Sequence, residues 1–398
     1  MTFLTHLQCP KCGRHLSARE PQNLCPCGSP LLARYDLAAI KAAVKKEELS
    51  RRQANMWRYE EFLPVEHRDN IVTLGEGWTP IFHAPNLAGK MGLPNLYIKD
   101  EGLNPTGTFK ARGAAAGVSK AKELGVKAVA MPTAGNAGGA WAAYGAKAGL
   151  QVHVAMPQDA PAVNVLECQA YGAHLYLVDG LISDAGQLIV QGISEHGWYE
   201  ASTLKEPYRI EGKKTMGLEI AEQFGWEWPD VIIYPAGGGV GIIGIWKAIH
   251  ELAEVGWVSG EWPRLMIVQS EGCAPMVKAF QEGKSESDFW EGAQTVAAGL
   301  RVPKALGDFL VLRAIAETDG YAVAVSEEEI LRAMRDMARY EGIFPCPEGA
   351  ATLAALHRMQ EQGVVSPTDR IVLLNTGNGL KYADLIQSTR AETISLAS

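Results

Sequence analysis

The sequence predicts an α/β protein of two lobes, each a mostly parallel sheet layered between helices, preceded by a small cysteine-bearing segment. Three observations predict it. Short β-branched runs alternate with longer segments of helical period, the alternation breaks and restarts near the middle of the chain, and two pairs of closely spaced cysteines sit at its beginning. A chain of 398 residues that is 47% apolar can bury more than one core, so its size admits two lobes and an appendage.

Cys9-Pro10-Lys11-Cys12 and Cys25-Pro26-Cys27-Gly28 set the first element, because such spacing lets two thiolates share one tetrahedral metal ion. They predict a zinc-ribbon-like segment over residues 1–36 with Cys9, Cys12, Cys25 and Cys27 as ligands of a structural zinc. The second pair has one residue between its cysteines instead of two, which leaves open a ribbon of free thiols. Of seven cysteines, these four crowd into the first thirty residues, which favours reduced thiols over a disulfide framework.

From Ile40 to Asn70 the residues are charged and helix-favouring, with Trp57, Tyr59 and Phe62 as apolar anchors, and the pattern predicts a connecting helix packed on the main body. Strands are then expected at Leu96–Lys99, Ala128–Pro132, Val152–Met156 and Leu175–Val178, with helices over Ala114–Leu124, Ala137–Ala148 and Val163–Tyr171. The same alternation resumes with strands at Val231–Tyr234, Leu265–Gln269, Tyr321–Val325 and Ile371–Leu374. In parallel α/β folds ligands bind beyond the carboxyl ends of the strands, so the turns after these strands are where chemistry is expected.

Four such turns carry polar or glycine residues. Asn104-Pro105-Thr106-Gly107-Thr108-Phe109-Lys110 delivers Lys110 to a helix start, a position suited to a lysine whose amine must be free to form an imine, or equally to a solvated lysine. Thr133-Ala134-Gly135-Asn136-Ala137 ends a strand and opens a helix. Its Asn136 can donate to a phenolate and its amides can take a carboxylate, or Asn136 can simply cap the helix. Pro235-Ala236-Gly237-Gly238-Gly239-Val240-Gly241 can turn its amides inward around a phosphate ester at the positive end of the next helix, and its spacing is not that of a dinucleotide loop. Thr376, in Leu374-Asn375-Thr376-Gly377-Asn378-Gly379, offers a hydroxyl to a ring nitrogen. Any one turn alone is an ordinary loop; four at strand ends point to a shared site for a small molecule.

These turns, together with Gly75-Glu76-Gly77-Trp78-Thr79-Pro80, Arg112-Gly113, Tyr208-Arg209-Ile210-Glu211-Gly212-Lys213-Lys214-Thr215 and Thr376-Gly377-Asn378-Gly379-Leu380-Lys381, resemble the fold-type II pyridoxal phosphate enzymes, and within them the threonine synthase family, over nearly the whole chain. The resemblance implies two three-layer αβα lobes, the larger built from 37–110 and 206–398 and the smaller, mobile one from 111–205. It implies that Lys110 carries pyridoxal phosphate as a Schiff base, that Asn136 contacts the 3′ oxygen, that Gly237, Gly238, Gly239, Val240 and Gly241 cradle the phosphate, and that Thr376 meets the pyridine nitrogen. A hydroxyl there does not hold the nitrogen protonated, which favours elimination and replacement over transamination. The implied activity converts O-phosphohomoserine and water to threonine and phosphate, with the Lys110 amine removing the α proton and Arg209, with Lys214 or Lys205, at the substrate phosphate. The Thr133, Ala134, Gly135, Asn136 and Ala137 loop would face the substrate, and the family implies a homodimer.

Ala134, Ala137 and the triple glycine depart from the hydroxyl- and amide-rich loops of that family, and the triple glycine is closer to serine or threonine dehydratases. Dehydration of a hydroxyamino acid, or β-replacement as in cysteate synthase, is therefore the alternative activity. A non-catalytic amino-acid sensor is opposed by the retention of Lys110 with every cofactor-contact turn. Glu348, in Pro347-Glu348-Gly349-Ala350-Ala351, either faces the substrate or stabilises a helix start. A net charge of −8 without a basic run argues against nucleic acid as a partner. No apolar run reaches the ~20 residues needed to span a bilayer, and the first residues lack a leader pattern, so the expected location is cytoplasmic.

Overall fold

The structure is a computed structural model that describes residues 2–385. Three short strands, β1 (Leu4–Gln8), β2 (His15–Leu16) and β3 (Leu32–Tyr35), form an antiparallel sheet in the order β2-β1-β3. The four predicted cysteines lie in its two loops, and helix α1 (Leu37–Ala43) leaves it, capped by the Asp36 carboxylate on the Ala39 amide.

The expected helix from Ile40 to Asn70 is not continuous. After α1 the chain makes three short 3-10 turns, at Lys46–Arg51, Met56–Phe62 and Arg68–Asn70. Tertiary partners break it up: the Met56 amide donates to the Glu76 carbonyl at 2.9 Å, and Arg58 reaches Glu222 at 2.6 Å. Those contacts outweigh a weak local helix preference. The segment does pack on the body as expected, with Tyr59 and Phe62 buried.

Every strand predicted beyond this point is present within one residue at each end. In chain order come β4 (Ile81–His83), α2 (Pro85–Met91), β5 (Leu96–Asp100), α3 (Lys110–Glu123), β6 (Ala128–Pro132), α4 (Asn136–Ala148), β7 (Gln151–Pro157), α5 (Ala162–Ala170), β8 (His174–Val178), α6 (Ile182–His196) and β9 (Tyr199–Glu200). They are followed by α7 (Arg209–Gln223), β10 (Val231–Pro235), α8 (Val240–Val255), β11 (Arg264–Ser270), α9 (Pro275–Gln281), α10 (Asp308–Glu317), β12 (Tyr321–Val325), α11 (Glu327–Glu341), α12 (Pro347–Glu361) and β13 (Ile371–Asn375). Strands β6 to β9 form a four-stranded parallel sheet in the order β8-β7-β6-β9, and the others a six-stranded sheet in the order β12-β11-β10-β13-β5-β4. Only β4 in the larger sheet runs antiparallel to its neighbour.

Period-2 alternation places helices on both faces of the larger sheet. Ile232, Tyr234, Leu265, Ile267, Val372 and Leu374 point into one core with α7 and α8, while Val231, Ile233, Met266, Val268, Ile371 and Leu373 point into the other with α2, α11 and α12. The smaller sheet behaves alike: Val129, Met131, Val152 and Val154 pack with α3 and α4, and Ala130 and Ala155 with α6. Two-sided burial is why these strands read as continuous apolar runs. The amino-terminal sheet adds Leu7, Leu31, Leu32 and Tyr35 to the core on the α7 and α8 side.

Candidate active site

Lys110 is the first residue of α3, at the end of the turn that the sequence predicted. The turn is held from both sides. The Phe109 amide donates to the Thr376 carbonyl at 3.0 Å, the Asn378 amide to the Gly107 carbonyl at 2.8 Å, and the Asp100 carboxylate receives the Asn375 side-chain amide at 2.7 Å. Thr106 and Gly107 both adopt positive φ, +60° and +65°, which folds the chain back toward the sheet. The lysine turn and the Thr376 turn are thus one backbone-bonded unit. Behind it Arg112 and Lys99 pair with Glu101 and Glu219 in a fully buried ion cluster, and Glu101 also receives the Asn104 side chain at 2.8 Å.

The Lys110 amine lies 4.0 Å from the centre of the Phe109 ring. Burial first, and then the Arg209 guanidinium, push its pKa down to about 8, against the opposing influence of Glu348 and Cys346. An amine so placed supplies its neutral, nucleophilic form near neutral pH far more readily than an exposed lysine. Phe109 also meets Tyr234 edge-on at 6.2 Å, which joins the lysine turn to the strand that leads into the glycine loop.

That loop connects β10 to α8. A Cβ on Gly237 would overlap the Gly299 carbonyl, one on Gly239 the Val311 side chain, and one on Gly241 the Tyr234 hydroxyl; Gly239 in addition has φ of +76°. The amides of Gly237 and Gly238 have no acceptor among the described residues, and they sit before the positive end of a 16-residue helix. The free amides of Gly237 and Gly238, with no room for a side chain at 237, 239 or 241, form a cradle whose chemistry fits a phosphate ester.

Asn136 opens α4, with Gly135 as the cap, so the capping role weighed for Asn136 does not hold. Its side-chain amide instead donates to the Tyr382 hydroxyl at 3.0 Å. In the same loop the Thr133 hydroxyl accepts the Gly135 amide, the Ala134 carbonyl accepts from Asn164 at 2.8 Å, and Ala137 is buried. Thr376 is buried, its hydroxyl 3.5 Å from the Cys346 thiol.

Arg209, the first residue of α7, is buried over the Trp141 ring and donates to the Ala201 carbonyl. It makes no ion pair with any described residue, and burial lowers its pKa to about 10 although Glu206 opposes this. Lys214 is differently engaged. It is fully buried and paired with Glu211 at 2.6 Å and Glu251 at 2.8 Å, on the far side of α7 beneath Tyr35, so the expectation that it meets a substrate phosphate is corrected. Lys205 pairs with Glu200 at 2.8 Å.

Several residues of this region were not found from the sequence. Lys213 donates to the Phe109 carbonyl and lies 4.4 Å from the same ring that Lys110 overlies. Cys346 caps α12; Glu348, expected either to face the substrate or to stabilise a helix start, lies in the first turn of α12, accepts the Gly299 amide at 2.6 Å and acts on Lys110. Tyr382 carried no signal beyond its place after the Thr376 turn.

Comparison with known proteins decides the family. The pyridoxal-phosphate dependent enzyme family matches residues 72–377. The chain belongs to this family. It is 37% identical to the threonine synthase of Methanocaldococcus jannaschii over 98% of this chain and 96% of that protein, and 38% identical to the threonine synthase of Methanosarcina acetivorans over 94% and 92%. Among solved structures it resembles maize serine racemase, with a TM-score of 0.66 and 24% identity over 77% of this chain and 91% of that one, a likeness of fold. The family match and these relatives bear out the fold-type II architecture and the cofactor class that the sequence resemblance implies. Both of these sequence relatives are threonine synthases, so the dehydratase-like glycine loop does not shift the assignment.

The sulfurs of Cys9, Cys12, Cys25 and Cys27 all lie within 4.8 Å of one another, with Cys9–Cys27 and Cys12–Cys25 at 3.5 Å. Tetrahedral Zn–S bonds of about 2.3 Å separate sulfurs by roughly 3.8 Å, so the donor set fits such an ion.

Proposed function

We propose that this protein is a threonine synthase that converts O-phosphohomoserine and water to threonine and phosphate, with pyridoxal phosphate held by Lys110. The observation that carries this is the convergence of a low-pKa lysine, a side-chain-free amide cradle and an unpaired buried arginine around one space, in a chain whose relatives named threonine synthase align end to end. When bound, the cofactor supplies an electron sink for the carbons of the attached amino acid. Gly237 to Gly241 hold its phosphate, Thr376 faces its ring nitrogen and Asn136 its 3′ oxygen. The Lys110 amine removes the α proton of the substrate and returns protons later in the turnover. The amides of the Thr133 to Ala137 loop bind the substrate carboxylate. Arg209 binds the departing phosphate, since a buried guanidinium without a carboxylate partner is suited to a second anion. Water then adds at the β carbon.

The same reading makes the cysteine ribbon a structural zinc site, because four sulfurs leave no open position for catalysis. It takes residues 1–36 as the ribbon, 37–110 and 206–398 as the larger lobe and 111–205 as the smaller, with residues 386–398 outside those described. A homodimer in the cytoplasm is the expected working form. Among the described residues no helix is long and apolar enough to cross a membrane.

Incubation with O-phosphohomoserine should release phosphate and threonine in equal amounts. Incubation with serine or threonine should give little oxoacid or ammonia. The reverse pattern would make the protein a dehydratase.

A further inference from the structure

We propose that Tyr382 is a positioning residue of the cofactor site: its hydroxyl, set between Asn136 of the smaller lobe and Glu348 of the larger, fixes the Asn136 amide so that one hydrogen is left for the cofactor's 3′ oxygen. The inference rests on the cofactor reading above and deepens it.

The direction of each hydrogen bond follows from the donors available. Glu348 Oε1 accepts the Gly299 amide at 2.6 Å and the Tyr382 hydroxyl at 3.1 Å. With its one hydrogen given to Glu348, the Tyr382 oxygen can only accept from Asn136, 3.0 Å away. Asn136 must therefore turn its NH2 group, not its carbonyl, toward the phenol. That group carries two hydrogens, and Tyr382 takes one. The second remains for an anionic oxygen in the space that Lys110 faces. Burial and the nearby Glu348 hold the phenol far above its usual pKa, so it stays a donor.

The neighbouring residue anchors the arrangement. Lys381 pairs with Glu167 of α5 at 2.6 Å and donates to the Thr106 carbonyl of the lysine turn at 3.1 Å, so the segment that carries Tyr382 is tied to both lobes. The charged or titratable groups that face Lys110 are Arg209, Glu348, Cys346 and Lys213; of these, Glu348 and Cys346 also lie beside Tyr382, and Glu348 accepts its hydroxyl.

Tyr382→Phe removes only the hydroxyl. A donor at the 3′ oxygen stabilises the negative charge that grows there when the imine loses its proton, so losing the orientation of Asn136 should raise the pH midpoint of the visible absorbance of the loaded protein by on the order of one unit. The dissociation constant of the cofactor-free protein for pyridoxal phosphate should rise about 3- to 10-fold. In an Asn136→Ala background the same substitution should move neither quantity further, because Tyr382 acts through that amide. A Tyr382→Phe protein with the parent's midpoint and affinity overturns the inference. So does a shift that persists undiminished without Asn136. If the parent protein takes up no pyridoxal phosphate, the cofactor reading falls and this inference with it; if the parent loads normally and only the Tyr382 variants fail to respond, the cofactor reading stands and the role of Tyr382 alone is lost.

Discussion

Arg112 grips Glu101 through two hydrogen bonds, Nε to Oε2 at 2.6 Å and Nη2 to Oε1 at 2.7 Å, with neither side chain exposed to solvent. The same guanidinium reaches Glu219, which Lys99 also meets at 2.9 Å. Arg112 lies two residues beyond Lys110, so this pair fixes the start of α3 as well as closing the turn through Glu101 and Asn104. Arg112→Met leaves two buried carboxylates with a single cation. We expect a loss of about 3–5 kcal/mol in unfolding free energy, read from the urea midpoint at constant slope.

The same cluster sets an acid limit. Burial pushes the Glu219 carboxyl up, but Arg112 and Lys99 outweigh it and hold it at about 2 in the folded protein, below its ordinary value of 4.5. The folded state therefore binds fewer protons than the unfolded one between those values. Its contribution to stability is fully present above about pH 4.5 and is lost as pH falls toward 2. Urea midpoints measured across that window should fall more steeply for the parent than for Glu219→Gln.

Imine formation needs an unprotonated amine. With Lys110 at about 8 instead of the ordinary 10.5, the rate at which cofactor-free protein takes up pyridoxal phosphate should rise with pH to a midpoint about 8. Arg209→Gln removes a repelling charge and should move that midpoint up; Glu348→Gln removes an attracting one and should move it down. Stopped-flow absorbance would follow both.

Gly237→Ala puts a methyl group against the Gly299 carbonyl and takes space from the amide cradle. Cofactor affinity should fall roughly tenfold or more, equivalent to ~1.4 kcal/mol, as measured by titration of the cofactor-free protein. Gly186→Ala, in open space on α6, should leave affinity unchanged.

Metal analysis of the purified protein should find about one zinc ion per chain, and Cys9→Ser or Cys27→Ser should abolish it. Chelation should lower the melting temperature while activity at low temperature persists. A protein that is zinc-free as purified, and no less stable after the substitutions, would mark the ribbon as metal-independent.

The strands and the four turns were legible because their signals are local. Val231 to Tyr234 is buried on both faces and flanked by turn residues, so its apolar run identifies it without a partner strand. The stretch from Ile40 to Asn70 misled for the opposite reason. Its helix-favouring composition is local, but the contacts that break it, Met56 to Glu76 and Arg58 to Glu222, depend on chain that is distant in sequence. The site divides in the same way. Lys110, Asn136 and the glycines announce themselves by their turns, whereas Asn136 and Tyr382 meet across a separation of 246 residues, and Cys346 looks like any helix start until the fold sets it beside Lys110.

Tyr35, in the last strand of the ribbon, lies 4.0 Å from the Lys214 amine and 4.7 Å from that of Lys247, roofing the two lysines and their partners Glu211 and Glu251. A shortened chain that began at residue 37 would flood this quartet with water and weaken its internal attraction several-fold. The same truncation would strip the start of α7, which carries Glu211 and Lys214, of a direct support, because the Tyr208 hydroxyl, one residue before Arg209, donates to the Ala18 carbonyl at 3.2 Å, so damage at the ribbon would slacken the buried guanidinium from both ends of the first turns of that helix.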